Sequence, residues 1–283
     1  MYNVQRFGWF ASLLALIAGS VHADDDTAPT NWTGLYAGVN AGYGWSDNSV
    51  LYAGDNPNGP GAGNLLLNIA FASSFSQNLN QYSQSPDAKG FVGGGQLGYN
   101  WRLAKDWVAG LETDIQYSGV DGDAATTGRA SPAPNINIGS TASAEQDLKW
   151  FGTVRGRLGL LATEQLLLFG TAGFAYGRTE ASASITTSRR VTIFGGPDGL
   201  DCRGNRVCIA GSDQKTSTGW TAGGGFEWAV WSNITFKGEY LHVDLGSQTI
   251  KLVAQPPATG NGFATANFDN SFDVVRGGLN YRF

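Results

Sequence analysis

SFDVVRGGLNYRF (271–283), the last thirteen residues of the chain, alternates between apolar and polar side chains. One face is apolar or aromatic and the other is cationic or carries an amide. The two faces are Val275, Leu279, Tyr281 and Phe283, against Arg276, Asn280 and Arg282. Because successive side chains of a strand point to opposite sides, this period of two predicts a β-strand with one apolar and one polar face.

Seven further segments show the same period. They are TGLYAGVNAGYGW (33–45), GFVGGGQLGYNW (90–101), WVAGLETDIQY (107–117), DLKWFGTVRGRLGLL (147–161), LLLFGTAGFAYGRT (166–179), GWTAGGGFEWAV (219–230) and ITFKGEYLHVDL (234–245). In the segment 147–161 the apolar face comprises Leu148, Trp150, Val154, Leu158 and Leu160. Each segment has roughly the ten residues that a tilted strand needs to cross an outer membrane.

The connections between these segments alternate in length. The short ones are 102–106, 162–165 and 231–233, and the long ones cover about 46–89, 118–146, 180–218 and 246–270. A soluble β-sandwich has no reason to sort its loops by side. The pattern predicts an eight-stranded antiparallel up-and-down transmembrane β-barrel over residues 32–283, with short periplasmic turns and four long extracellular loops.

The N-terminus has the features of a secretory signal peptide. Arg6 precedes the apolar stretch WFASLLALIAG (9–19), and Val21-His22-Ala23 follows it. We predict a signal peptide over residues 1–23 and a short periplasmic segment over 24–31. The alternative is a membrane anchor, but an apolar run of about eleven residues is short of the ~20 that a spanning helix needs.

The composition agrees with a barrel in lipid. Charged residues make up 14% of the chain, aromatic residues 12%, and there are 41 glycines. Aromatic residues cluster at the strand ends, where an aromatic girdle meets the lipid head groups. The net charge of −5 argues against nucleic acid as a partner, because its binding requires a basic face.

The polar faces of the strands carry charges of both signs. They are Glu112, Asp114, Arg155, Arg157, Glu227, Lys237, Glu239 and Arg276. Counted from the periplasmic ends, Glu112 and Asp114 come level with Arg157 and Arg155, and Glu239 comes level with Arg276. Unpaired charges inside a narrow barrel are costly, so this balance predicts a closed ion-pair network. The network either plugs the barrel or lines a narrow charged conduit.

The long connection 180–218 contains the two cysteines. Cys202 and Cys208 lie close together without a nearby histidine, which predicts a disulfide in a secreted protein and no metal site. The same segment carries four arginines, Arg189, Arg190, Arg203 and Arg206. They form a basic loop that either binds anionic sugars or a host partner, or is simply solvated.

Enzymatic chemistry has one candidate. His242 and Asp244 share a face of one strand, and Ser247 follows them, as in a nucleophilic triad of a surface lipid hydrolase. The alternative is a histidine at the membrane interface. The glycine runs 93–95 and 223–225 lack the lysine of a phosphate-binding loop. We therefore predict no enzymatic activity and no cofactor.

Three motifs resemble a known group of proteins. WTGLYAGVNAGYGW (32–45), EYLHVDLG (239–246) and VVRGGLNYRF (274–283) resemble the small outer-membrane barrels described as outer-membrane immunogenic or porin-family proteins. The resemblance implies a surface antigen of the Gram-negative outer membrane, in contact with its lipids and lipopolysaccharide. It also implies that the barrel-assembly machinery recognises Leu279, Tyr281 and Phe283, and that the extracellular loops bind a host molecule or haem. Its implied roles are envelope integrity or, alternatively, passage of small solutes.

Overall fold

A computed structural model describes residues 31–54, 82–133, 136–193 and 200–283. The predicted signal peptide lies outside these ranges, as does the predicted periplasmic segment up to residue 30. Within the described ranges, no helix is both long enough and apolar enough to cross a membrane.

Thirteen strands lie in the described part of the chain. They are β1 (Gly34–Ser46), β2 (Val50–Gly54), β3 (Tyr82–Gln84), β4 (Ala88–Arg102), β5 (Trp107–Ala133), β6 (Ile136–Thr163), β7 (Leu166–Thr187), β8 (Val191–Ile193), β9 (Leu200–Cys202), β10 (Arg206–Ala229), β11 (Ile234–Ala254), β12 (Thr259–Gly260) and β13 (Ala264–Arg282).

Eight of these strands close into a ring. Their order is β1-β4-β5-β6-β7-β10-β11-β13, and β13 pairs with β1 over ten residues of each strand. All pairs in the ring are antiparallel, so the predicted eight-stranded barrel is confirmed. Beyond the end of β1, the short strands β2 and β3 continue the wall next to β13. A separate three-stranded sheet has the order β12-β9-β8.

The strands are much longer than predicted on the extracellular side. Trp107 and Tyr117 mark the two aromatic levels of β5, but β5 continues for 16 residues beyond Tyr117, to Ala133. Much of the predicted loops 118–146, 180–218 and 246–270 is therefore strand, and the predicted boundaries there are wrong. The prediction followed an apolar outward face, and in β5 that face ends at Tyr117, beyond which outward side chains such as Asp121 and Asp123 are polar.

A register shift in β6 changes which side chains face the lumen. The pairing of β6 with β7 shifts between Leu148 and Trp150, and its pairing with β5 shifts at the same level, between Tyr117 and Val120. Leu148 is consequently buried inside the barrel, whereas Val154 and Leu158 are exposed on the outer face. The predicted placement of Leu148 on the lipid face is wrong, because an extra residue in one strand reverses the alternation.

Apolar side chains fill the lumen at three levels. The periplasmic layer comprises Trp32, Val108, Leu161, Leu167 and Ala229. The middle layer comprises Ala88, Val92, Val120, Leu148, Phe151, Ala175, Leu241, Val243, Leu245, Phe272 and Val274. The extracellular core comprises Val50, Tyr52, Ala142, Ala144, Ala181, Ala183, Ile185, Leu200, Cys202, Cys208, Ile209, Ile250, Leu252, Ala258, Ala264, Ala266 and Phe268.

Candidate functional site

The predicted charged residues lie inside the barrel between the periplasmic and middle layers. All eight are buried: Glu112, Asp114, Arg155, Arg157, Glu227, Lys237, Glu239 and Arg276. Glu239 lies opposite Arg276 in the ladder, but Glu112 lies opposite Arg155 rather than Arg157. Counting from strand ends missed this offset of two residues because barrel closure staggers neighbouring strands.

Arg155 is the centre of this charged network. It is fully buried, and its Nη1 donates to Glu239 Oε1 at 2.7 Å. Its Nη2 donates to Asp114 Oδ2 at 2.9 Å and to Glu112 Oε1. Its Nε donates to Thr153 Oγ1 at 2.9 Å. One guanidinium from β6 therefore binds carboxylates of both β5 and β11.

Lys237 connects opposite walls of the barrel. Its Nζ lies 2.7 Å from Glu112 Oε1 and 2.8 Å from Oε2. Lys237 belongs to β11 and Glu112 to β5, which are four strands apart in either direction around the ring. Arg276 adds a second link, since its Nη2 donates to Asp114 Oδ2 at 2.7 Å and to Glu239 Oε2 at 2.6 Å. The two predicted groups of charges are one network.

Tyr36 is a member of the network that sequence reasoning missed. Its hydroxyl donates to Glu112 Oε2 at 2.6 Å and accepts from Arg157 Nη1 at 3.0 Å. The available signal was its position on the polar face of β1, despite its aromatic ring. A Cβ on Gly98 would lie only 2.4 Å from the Tyr36 ring and hydroxyl, so the tyrosine requires glycine on the neighbouring strand.

Arg157 completes the periplasmic side of the network. Its Nη2 donates to Glu227 Oε2 at 2.7 Å, and Glu227 also accepts from the Thr235 hydroxyl at 2.5 Å. The ring of Phe169 lies 4.3 Å from the Arg157 guanidinium and 5.3 Å from the Lys237 ammonium. These are cation–π contacts in an environment shielded from water.

The charges of the network balance. Four carboxylates face four cations, and each cation contacts at least one carboxylate within 4.0 Å. This pairing offsets the cost of removing the charged groups from water. Nowhere in the described ranges do three or more His, Cys, Asp or Glu side chains form a group that could hold a metal ion.

Aromatic side chains lie in the apolar layers on either side of the network. Trp32 is buried at the periplasmic mouth, where its Nε1 donates to the Glu164 carbonyl at 3.0 Å and Arg282 lies 4.9 Å from its ring. In the middle layer, Phe151 and Phe272 meet edge to face at 5.0 Å.

His242, Asp244 and Ser247, the one candidate for enzymatic chemistry, do not form a triad. His242 Nδ1 lies 2.8 Å from Oδ1 of Asp273, which is its direct cross-strand neighbour in β13. Asp244 instead accepts a hydrogen bond from the Gly246 amide at 2.7 Å, and a register shift separates it from Ser247. The candidate triad is not formed because cross-strand pairing, not chain proximity, selects the histidine's carboxylate.

The structure also places the two cysteines and the residues of the predicted assembly signal. Cys202 and Cys208 form a disulfide, and both residues are buried in the extracellular core. Leu279 and Phe283 are exposed on the outer face, and the rings of Tyr281 and Phe283 lie 5.1 Å apart.

Comparison with known proteins agrees with this architecture. The sequence matches the outer membrane protein beta-barrel domain family over residues 11–283. The chain belongs to this family. The 31 kDa outer-membrane immunogenic protein of Brucella melitensis is 36% identical to it over 287 residues, which cover 96% of this chain and 98% of that protein. The family resemblance predicted from the sequence is confirmed, and so is the location in the outer membrane.

Two further proteins of the outer membrane match this chain at lower sequence identity. The 22 kDa outer membrane protein of Rhizobium leguminosarum is 29% identical over 175 residues, which cover 62% of each chain. The crystal structure of the outer membrane protein OprG from Pseudomonas aeruginosa is 11% identical and covers 90% of this chain and 99% of its own, with a TM-score of 0.42.

Proposed function

We propose that this outer-membrane barrel is a closed structural and surface-exposed protein of the cell envelope, without a conducting pore or an enzymatic activity. The contact between Lys237 and Glu112 carries the proposal. Because it joins opposite walls at hydrogen-bond distance, a solute crossing the lumen has to separate this pair.

The apolar layers support the same function. They lie in series with the charged network, one on its periplasmic side and one on its extracellular side. An ion entering the lumen would lose its hydration in these layers before it reached any charged partner, and apolar constrictions of this kind stop conduction. The barrel is thus closed by two different physical means.

One observation favours the alternative of a narrow conduit. The side-chain amides of Asn100 and Gln116 are buried in the lumen and find no hydrogen-bond partner among the described residues. Buried polar groups of this kind bind enclosed water. A continuous file of water through the barrel would support passage of small ions.

Planar-bilayer recordings separate the two functions. We expect the refolded protein to insert without steady channel openings. We also expect the double variant Arg155→Ala with Arg157→Ala to remain silent, because the apolar layers are unchanged. Steady ohmic openings of the unmodified protein would show that it is a pore. Openings of the double variant alone would show that only the ion pairs close the lumen.

We further propose that outer-membrane lipids and lipopolysaccharide surround the apolar outer face, and that the barrel-assembly machinery recognises the last strand. The exposure of Leu279 and Phe283 on that face supports this. The variant Phe283→Ala should accumulate outside the outer-membrane fraction of cells. An unchanged amount of folded protein in that fraction would contradict the role of Phe283.

A further inference from the structure

Four arginines lie on two turns at the extracellular end of the barrel, apart from the charged network. Arg189 and Arg190 follow β7, and Arg203 and Arg206 flank the turn between β9 and β10. All four are exposed. We call these four residues the arginine tip.

The two turns of the arginine tip are in contact. A Cβ on Gly204 would lie 2.8 Å from the Cα of Arg189, and the Asn205 amide donates to the Thr187 carbonyl at 2.7 Å. Asn205 has a φ of 57°, in the left-handed region that a tight turn requires. The four side chains therefore start from one small area of backbone.

The backbone beneath the arginine tip is held in place from three sides. The disulfide between Cys202 and Cys208 closes the hairpin that carries Arg203 and Arg206. Both cysteines are buried in the extracellular core, and β9 pairs with both β8 and β12. A ligand therefore meets cations whose backbone is already ordered, which reduces the entropy cost of binding.

The arginine tip concentrates positive charge on an acidic protein. Residues 188–206 contain four arginines and two aspartates, whereas the whole chain has a net charge of −5. Arg190 donates to both oxygens of Asp201 at 3.0 and 2.6 Å, and Arg203 lies 3.9 Å from the same carboxylate. Asp201 thus orients Arg190 and leaves an excess of cations, which attracts an anionic ligand.

The distance from the membrane limits which anion can reach the arginine tip. Trp220 marks the upper aromatic level of β10, and Arg206 lies 14 residues further along the same strand. At ~3.4 Å per residue this is about 48 Å of strand, or roughly 35 Å of height at a tilt of about 40°, so phosphates of the surrounding lipid are distant. A ligand of the arginine tip therefore has to extend well beyond the lipid phosphates.

We infer that the arginine tip binds a sulfated polysaccharide. The planar guanidinium fork binds tetrahedral oxyanions through two parallel hydrogen bonds, which a sulfate group can accept. The patch is small and the protein around it acidic, so it suits a flexible chain with closely spaced sulfates. A stiff nucleic-acid duplex requires a broader basic face. This inference does not depend on whether the lumen is closed.

Heparin, used as a labelled probe on the refolded full-length protein, tests the inference. We expect saturable binding that weakens with added salt, and about a hundredfold weaker binding by the double variant Arg203→Ala with Arg206→Ala, since each of the two lost charged hydrogen bonds costs roughly a factor of ten. The matched control is Arg102→Ala with Lys105→Ala, which removes two exposed cations from the periplasmic turn. It should bind like the unmodified protein.

Four results would overturn the inference, and the first three concern heparin binding itself. They are the absence of heparin binding by the unmodified protein, binding by the double variant as tight as that of the unmodified protein, and a loss of binding in the periplasmic control as large as that in the double variant. Displacement of heparin by double-stranded DNA at equal charge concentration would also overturn it, because the patch would then be a general polyanion site. Heat-dependent electrophoretic mobility verifies that each variant is folded.

Discussion

The apolar face of the barrel wall points outward in the membrane-spanning region and inward in the extracellular region, although the same strands run through both. Up to the level of Tyr117, the outer face is apolar and the lumen holds buried ion pairs. Beyond that level, the outer face carries Asp, Glu, Ser and Thr, and the lumen holds Ala, Ile, Leu and Phe. The surrounding solvent decides which face is apolar, because lipid and water select opposite side chains on one type of strand.

The two regions also differ in what stabilises their interiors. The membrane-spanning lumen depends on matched charges, so removing one partner leaves another charge buried. The extracellular core depends on apolar packing and a disulfide, as a small secreted domain does. Substitutions that look alike should therefore have different effects in the two regions.

The largest effect is expected from Arg155→Ala. Loss of its guanidinium leaves Glu112, Asp114 and Glu239 with fewer partners, and an uncompensated buried charge costs about 3–5 kcal/mol. Urea unfolding in lipid vesicles measures the free energy of unfolding. The control Arg178→Ala removes an exposed arginine just above the aromatic level and should cost less than about 1 kcal/mol. Equal losses for the two variants would show that the network does not stabilise the barrel.

The next-largest loss of stability is expected when a charge is placed on the outer face of β6, and its size should differ between the two regions. Val154→Arg places a charge about midway across the lipid-facing part, where it should cost about 2–4 kcal/mol. Ser143→Arg makes a similar change on the outer face of the extracellular region and should change stability by less than about 0.5 kcal/mol. The same unfolding measurement applies to both variants. A large loss at position 143 would mean that the lipid reaches higher than Tyr117.

The smallest effect is expected from Tyr36→Phe. It removes the hydroxyl between Glu112 and Arg157 but keeps the ring over Gly98, so it should cost about 1–2 kcal/mol. Tyr43→Phe is the matched change on the lipid-facing side of β1 and should have little effect. If both variants unfold at the same urea concentration as the unmodified protein, the hydroxyl of Tyr36 contributes nothing to the network.

The membrane-spanning strands could be predicted from the sequence because lipid imposes a regular alternation on every one of them. The same alternation placed all eight charged residues on the inward face. Their partners could not be predicted in detail, because strand stagger pairs Glu112 with Arg155 and because the contact of Lys237 with Glu112 crosses the lumen. Contacts between strands that are not neighbours leave no periodic signal.

The strand boundaries of the extracellular region were predicted less well because its sequence lacks the apolar outward face of the membrane-spanning strands. Its inward side chains are mostly small, and its outer face is polar, so segments such as 118–133 have the composition of loops. The shift at Leu148–Trp150 in the pairing of β6 with β7 also reverses the alternation of β6 where the two regions meet. The partner of His242 was missed because Asp273 is 31 residues away in the chain.

The change of environment along β5 can be measured directly with nitroxide spin labels at Ile115 and Ala125. Both side chains point outward from the same strand, on opposite sides of the Tyr117 level. We expect the label at position 115 to collide mainly with dissolved oxygen, as in lipid. The label at position 125 should collide mainly with a water-soluble nickel chelate. Lipid-like collisions at both positions would contradict the division of the barrel into two regions.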